Sequence, residues 1–397
     1  MLISYSTTFV CAAFAGLLVS NFYYFQPLAP YMAQEMGWSL WQATSFIPVS
    51  QAGYCLGLLF LVPLADRVES RQLLLRTMAA VVACLLALAF FRRWELLLLV
   101  TLCLGFCLSA IQMLLPAITG LRPAEKRGQT LGIMIAGIGV AVTLARPLAS
   151  LAGWAGHWQT IFLISAGLMA LGILTFSQIL PRMPRVPQGS LWHYMRGQVS
   201  LWRNTPLLRH RAFGQAISFG VFSAFWTGVP AELVNGPLGL SQLELGAFSL
   251  VAITATVAAP IAGRWSDQGR SRAGIGWATI IIALGCLIGA LGLVEHRTLA
   301  LLGLTLAAGL LDFGLALQLV LSQRQVFDIS PEASSRANSL FMATFFTGGA
   351  AGSWAGGWVY STAGWGMLVL LMLALTMVGL AVQRSWNTSA LSTGSSA

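Results

Sequence analysis

Two formally charged side chains lie well inside long apolar stretches of this chain, and they limit the chemistry it can do. Asp312 falls near the middle of one stretch, and Arg146 lies toward one end of another, immediately before Pro147. On insertion scales a charge at the centre of a bilayer costs at least roughly 2.5–3.5 kcal/mol, so such a residue faces a cavity or a partner. Removal from water disfavours an ionised carboxylate, so an acid in that position can take up and release a proton. The plainer reading of Asp312 is a buried acceptor that hydrogen-bonds two helices. Arg146 can hold an anion, snorkel toward the surface or bond nearby carbonyls.

Neutral polar residues gather in the same stretches. Asn21 with Tyr24, and Gln51 with Tyr54, are spaced i, i+3 and so share a helix face. Gln112 sits between apolar neighbours and Gln318 lies beyond Asp312, while Phe225 and Trp226 can supply aromatic walls. For Trp226 the plainer alternative is core or lipid-facing packing. The histidines, His157, His193, His210 and His296, fall in loops or in a linker with no partner at metal-ligand spacing. No G-x-x-x-x-G-K phosphate loop is present, which argues against ATP drive within the chain. The six cysteines fall in apolar stretches, as small packing residues. These side chains suit binding and proton carriage, with no metal, no cofactor and no catalytic set, so an enzyme is not expected.

The elements that must position them are membrane spans. Of 397 residues, 57% are hydrophobic and only 9% charged, with mean hydropathy +0.77. A soluble protein carries about a quarter charged residues, and a span needs about 20 apolar ones. Apolar runs place twelve spans at 7–33, 43–65, 73–91, 96–119, 130–152 and 160–180, then 212–234, 245–265, 273–294, 299–320, 337–360 and 365–382. The runs are continuous, not alternating, so they are helices and not barrel strands. Of the 22 Lys and Arg, only Arg92, Arg93 and Arg297 fall on one side and Arg146 within a span; the other 18 share the opposite side. By the positive-inside rule that side is cytoplasmic and carries both termini. The net charge of +10 then faces anionic lipid and not nucleic acid. Met1–Ser6 has no basic residue, and the first apolar run exceeds a signal-peptide core, so cleavage is not expected.

Between the sixth and seventh runs the apolar rhythm breaks at Pro181-Arg182-Met183-Pro184-Arg185-Val186-Pro187, followed by Leu191-Trp192-His193-Tyr194 and further arginines. This reads as a proline-stiffened linker and a basic amphipathic helix at the headgroups. It divides the chain into a six-helix half at 1–180, a linker at 181–211, a second half at 212–384 and a tail at 385–397. Internal repetition supports duplication. Leu64-Ala65-Asp66-Arg67-Val68-Glu69-Ser70-Arg71 follows the second span, and Trp265-Ser266-Asp267-Gln268-Gly269-Arg270-Ser271-Arg272 follows the eighth. Arg127-Gly128-Gln129-Thr130-Leu131 opens the fifth span, and Arg336-Ala337-Asn338-Ser339-Leu340 opens the eleventh. Two six-span repeats suit a secondary transporter.

At these residues the chain resembles the major facilitator superfamily over nearly its whole length. The loop after the second span in that family follows G-x-L-a-D-r-x-G-R-k; Asp66, Arg67 and Arg71 keep three of its positions, while Val62, Glu69 and Ser70 depart from it. Asn21-Phe22-Tyr23-Tyr24-Phe25-Gln26-Pro27-Leu28, Gln51-Ala52-Gly53-Tyr54 and Gly348-Gly349-Ala350-Ala351-Gly352-Ser353 resemble a bacterial branch of efflux permeases related to drug:proton antiporters. Antiporters of the family often end a glycine-rich motif of the fifth span in Gly-Pro; here Arg146 replaces that glycine.

The resemblance implies an all-α membrane protein with twelve transmembrane helices in two pseudo-symmetric six-helix halves, helices one, four, seven and ten lining the cavity. It also implies a conformational latch of Asp66, Arg67 and Arg71, with Asp267, Arg272 and Arg336 at the repeated positions. Asp66 would meet the start of the eleventh helix and Asp267 that of the fifth, where a carboxylate gains roughly 0.3–1 kcal/mol from the helix N-terminus. Such contacts would bias the protein toward its outward-open state. The expectation is a multi-pass secondary transporter of the cytoplasmic (inner) membrane, functional as a monomer among membrane lipids. It would export a small organic molecule by alternating access, coupled to protons through Asp312. Substrate would be bound among Asn21, Tyr24, Gln51, Tyr54, Gln112, Arg146 and Trp226. The alternatives are an importer or exchanger of an anionic metabolite that uses Arg146, and a non-transporting membrane sensor. A sensor would carry a soluble signalling domain, for which neither the short N-terminus nor the Ser/Thr-rich tail offers material.

Overall fold

The computed structural model describes residues 5–65, 67–181, 191–329 and 334–392. Among these residues all regular structure is helical, as lipid requires of a chain whose backbone must satisfy itself within each segment. Ten helices among the described residues are long and apolar enough to cross a membrane. Two features bring the spans to twelve. The first span is a pair of helices, Tyr5–Ser20 and Phe25–Met36, bent by 44°. The last long helix, Ser334–Ser392, is two spans joined at Gly364, whose φ of 74° is left-handed backbone that favours glycine. The protein is thus an all-α membrane protein with twelve helices in two six-helix halves. Exposed Leu148, Leu168, Trp277, Leu302, Trp354 and Leu370 lie on the outer faces of the spans, where lipid replaces water.

Close contacts gather the chain into two compact units: residues up to Leu191 with Leu240–Leu250, and Trp192–Gly239 with the described residues from Val251 on. The division falls where the eighth span, Gln242–Asp267, passes through a 3-10 stretch at Leu250–Ile253. Its first turns belong with the first unit, Gly246 lying against Ser150 and Pro147 of the fifth span.

The two units share much of their packing scheme. The first span packs on the fifth, the second on the fourth and the third on the sixth; in the other unit the seventh packs on the eleventh, the eighth on the tenth, and the ninth chiefly on the tenth and also on the twelfth, through Trp365 and Thr376. Small residues make the matched pairs close. A Cβ on Gly137 of the fifth span would stand 2.8 Å from Cβ of Ala12. In the second unit a Cβ on Gly348 would stand 2.2 Å from the carbonyl oxygen of Ala216, and one on Gly352 would stand 2.1 Å from that of Gly220. Glycines four residues apart lie on one helix face, so the seventh and eleventh backbones touch along a stripe.

Several spans differ from simple apolar runs. Residues 21–24 interrupt the first, where the runs alone suggest one continuous helix. Pro27 has no N–H to offer the Tyr23 carbonyl, which instead accepts from Gln26 at 3.4 Å, one residue short of helical register. The fourth span, Trp94–Gly120, is likewise interrupted at Ser109–Ala110, ahead of Pro116. The second contains a π-helical stretch, Gly57–Leu61. The seventh starts at Pro206, earlier than the apolar run, because proline suits a first helical turn. His210 and Arg211 therefore belong to a span and not to a loop. The amphipathic helix before it runs from Leu191 to Asn204; the proline-rich linker at 182–190 lies outside the described residues.

Candidate functional site

The tenth span, Arg297–Phe327, is an unbroken 31-residue helix with Asp312 at its centre. At 1.5 Å per residue Asp312 stands about 23 Å from either end. Its side chain is buried, and Oδ2 accepts a 3.1 Å hydrogen bond from Nε1 of Trp226 on the seventh span. Trp226 is itself buried, its ring 5.8 Å from that of Phe225 and 6.4 Å from that of Phe222. Two residues 86 positions apart thereby place a carboxylate at mid-depth with a neutral N–H donor, inside an aromatic shell. Lipid-facing packing of Trp226 is excluded by its burial.

In the first unit the interrupted first span organises the polar residues. Nδ2 of Asn21 donates to the carbonyls of Leu17 at 2.8 Å and Leu18 at 3.4 Å, at the end of the helix where the break begins. Oδ1 of Asn21 accepts from the Ser165 hydroxyl at 2.7 Å, tying the break to the sixth span. Ser165 also reaches Tyr24, which packs edge-on to Phe162. Asn21 and Tyr24 thus meet through Ser165 at a break, and not along one regular helix face.

Arg146 neither snorkels nor reaches the surface. It is 1% exposed, Nε donates to Oε1 of Gln26 at 2.6 Å, and its guanidinium carbon lies 5.0 Å from the centre of the Tyr23 ring. Both partners come from the bend of the first span. From the second and fourth spans, Nε2 of Gln112 donates to the Tyr54 hydroxyl at 3.3 Å. The Tyr54 ring lies 5.7 Å from Phe22, which lies 5.6 Å from Tyr23. A continuous wall thus runs from Gln112 through Tyr54, Phe22 and Tyr23 to Arg146. Gln51 is buried in the same span as Tyr54. Along the sequence Tyr23 and Gln26 stand only as part of the Asn21–Leu28 motif and Ser165 carries no mark; the signal for the bend is Pro27 and Pro30 within a polar-rich apolar run.

The loop residues are less gathered. Asp66 lies outside the described residues. Arg71 donates through Nη2 to the carbonyl of Ser177 at the end of the sixth span, and Arg67 is half-buried nearby in sequence. Asp267 is exposed as the last residue of the eighth span, and Arg272 is exposed at the start of the ninth. Arg336 directs a guanidinium nitrogen at Gly197 of the amphipathic helix, 3.1 Å from where a Cβ would stand. Among the described residues no group of three or more His, Cys, Asp or Glu could hold a metal ion.

Twelve helices in two six-helix halves, with polar groups buried at mid-depth in each, define a membrane transport protein. The sequence profile of the Major Facilitator Superfamily matches residues 8–209 and 211–388, so the chain belongs to that superfamily. It is 30% identical over 369 residues to the uncharacterized transporter YgaY of Escherichia coli O157:H7, covering 92% of each chain. It is 23% identical over 288 residues to the purine ribonucleoside efflux pump NepI of Salmonella paratyphi B, covering 72% of this chain and 70% of that one. Its fold matches a crystal structure of the nucleoside transporter NupG with TM-score 0.73 at 14% identity, over 96% of this chain and 98% of that one. The protein is therefore a multi-pass membrane transporter of small molecules, with efflux pumps among its relatives, and not an enzyme.

Proposed function

We propose that the protein is a proton-coupled exporter of a small organic molecule in the cytoplasmic membrane, with both termini cytoplasmic, working as a monomer by alternating access. Asp312 carries the proton. Its burial at the centre of the tenth span, bonded to the neutral indole N–H of Trp226, is the observation that carries this reading. A carboxyl so placed changes charge at low cost when it is alternately closed off and opened to water. In the first unit Asn21, Tyr24, Gln51, Tyr54 and Gln112 offer polar and aromatic groups to substrate, and in the second Trp226 does so. Arg146 supports that surface by holding the bend of the first span, its contacts with Gln26 and Tyr23 favouring this role over capture of an anionic metabolite. Asp66, Arg67, Arg71, Asp267, Arg272 and Arg336 set the balance between conformations. The efflux direction draws support from the relative named as a purine ribonucleoside efflux pump.

Proton movement in proteoliposomes on addition of candidate substrates, purine ribonucleosides first, tests the reading. Asp312→Asn keeps size and hydrogen bonding and removes the titrating group. It is expected to abolish uphill transport while sparing exchange of substrate down its gradient. Uphill transport by the Asn variant would place coupling elsewhere.

A further inference from the structure

The end of the second unit opposite to the Gly364 turn holds a second polar site, distinct from Asp312 and its aromatic shell. Arg211 and Gln215 of the seventh span are four residues apart and so lie on one helix face. They line a small, partly open cavity together with Gln318 and Ser322 of the tenth span and Gln383 of the twelfth. Arg211 is only 6% exposed, yet its Nε has no hydrogen-bond partner and no described carboxylate pairs with it. Gln215 is 1% exposed, and neither end of its amide is bonded. Gln318 is equally buried; its Nε2 donates to Thr279 at 3.0 Å while Oε1 has no partner. Gly214 lines the same space and leaves it open for want of a side chain.

Buried polar groups are normally satisfied, and a buried guanidinium without a counter-charge is costly. The positive charge of Arg272 acts on both Arg211 and His210, and no carboxylate lines the cavity. The local field therefore favours an anion. The cavity is not fully enclosed, which leaves its polar lining accessible to a small anionic group. A guanidinium fork with the unbonded Gln215 amide N–H beside it matches an oxyanion's geometry. Arg211 lies in the second turn of the seventh span and Gln383 ends the twelfth, at one end of the unit.

We propose that this cavity binds a phosphate group, held by Arg211 and by the amide N–H of Gln215. The group could belong to free inorganic phosphate or to an anionic lipid headgroup, and the experiment separates the two. The full-length protein, stripped of lipid in detergent, is heated while titrated with sodium phosphate, with sodium chloride at equal ionic strength as control. A second series uses phosphatidic acid against phosphatidylcholine in mixed micelles. A saturable rise in the unfolding midpoint with phosphate identifies the free ion; a rise with phosphatidic acid alone identifies the lipid. In either case Arg211→Gln should weaken the apparent affinity by about tenfold or more, the loss expected for a charge-assisted hydrogen bond. Gln215→Leu, which keeps the charge, should weaken it less and serves if the arginine variant does not fold. No rise beyond the chloride and phosphatidylcholine controls, or a rise unchanged in the variants, overturns the proposal. Because binding alone is read, the outcome is independent of coupling through Asp312.

Discussion

The indole Nε1 of Trp226 lies 3.1 Å from Oδ2 of Asp312, joining the seventh and tenth spans at mid-depth. Neither residue is more than 6% exposed, so the bond forms where water does not compete. Removing its donor leaves a carboxyl facing an aromatic shell with one fewer partner.

Trp226→Phe keeps most of that shell and deletes the N–H. The expected cost is about 1–3 kcal/mol of stability, seen as a lower unfolding midpoint in detergent, together with slower proton-driven transport. Trp358→Phe, at a side chain 53% exposed on an outer face, should alter neither.

The bend of the first span depends on Arg146 reaching Gln26. Gln26→Leu removes an acceptor from a buried cation and should destabilise the protein by about 1.5–3 kcal/mol. The double variant with Arg146→Met should lose less than the sum of the single variants, because the cation that needed the acceptor is gone. Thermal unfolding of the four proteins completes the cycle; strict additivity would show that the pair is not coupled.

Contact between the seventh and eleventh spans leaves no room for a methyl group. Gly352→Ala places Cβ 2.1 Å from the carbonyl oxygen of Gly220, so the helices must separate, at about 1–3 kcal/mol. Gly276→Ala in the ninth span meets nothing within 4 Å and should be neutral or stabilising by up to about 1 kcal/mol. Unfolding midpoints of the two variants compare tight and open glycines within one unit.

At the loops, Asp66→Asn should change the balance between inward-open and outward-open forms without altering substrate affinity, as followed by accessibility labelling and by binding. Asp267→Asn should do the same more weakly, its loop departing further from the family pattern. An unchanged balance together with the native transport rate in both variants would remove the latch from the mechanism.

Much of this protein is legible along the chain because a bilayer reads composition segment by segment. Each span must satisfy its own backbone and meet lipid, so apolar length alone marks the twelve helices. The same reasoning places the turn at Gly364 between the last two spans, where the backbone is left-handed. It also places Asp312 at mid-depth, since depth in an unbroken helix follows from counting residues. Hydropathy is blind to rotation about the helix axis, which only packing against neighbours decides. For that reason the tertiary structure alone turned Trp226 toward Asp312 and Arg146 toward Gln26, partners 86 and 120 residues apart. It likewise took Arg211, one basic residue among many along the chain, and buried it beside Gln215 against a cavity. A charge's depth is a property of its position in the chain, whereas its partner belongs to another helix.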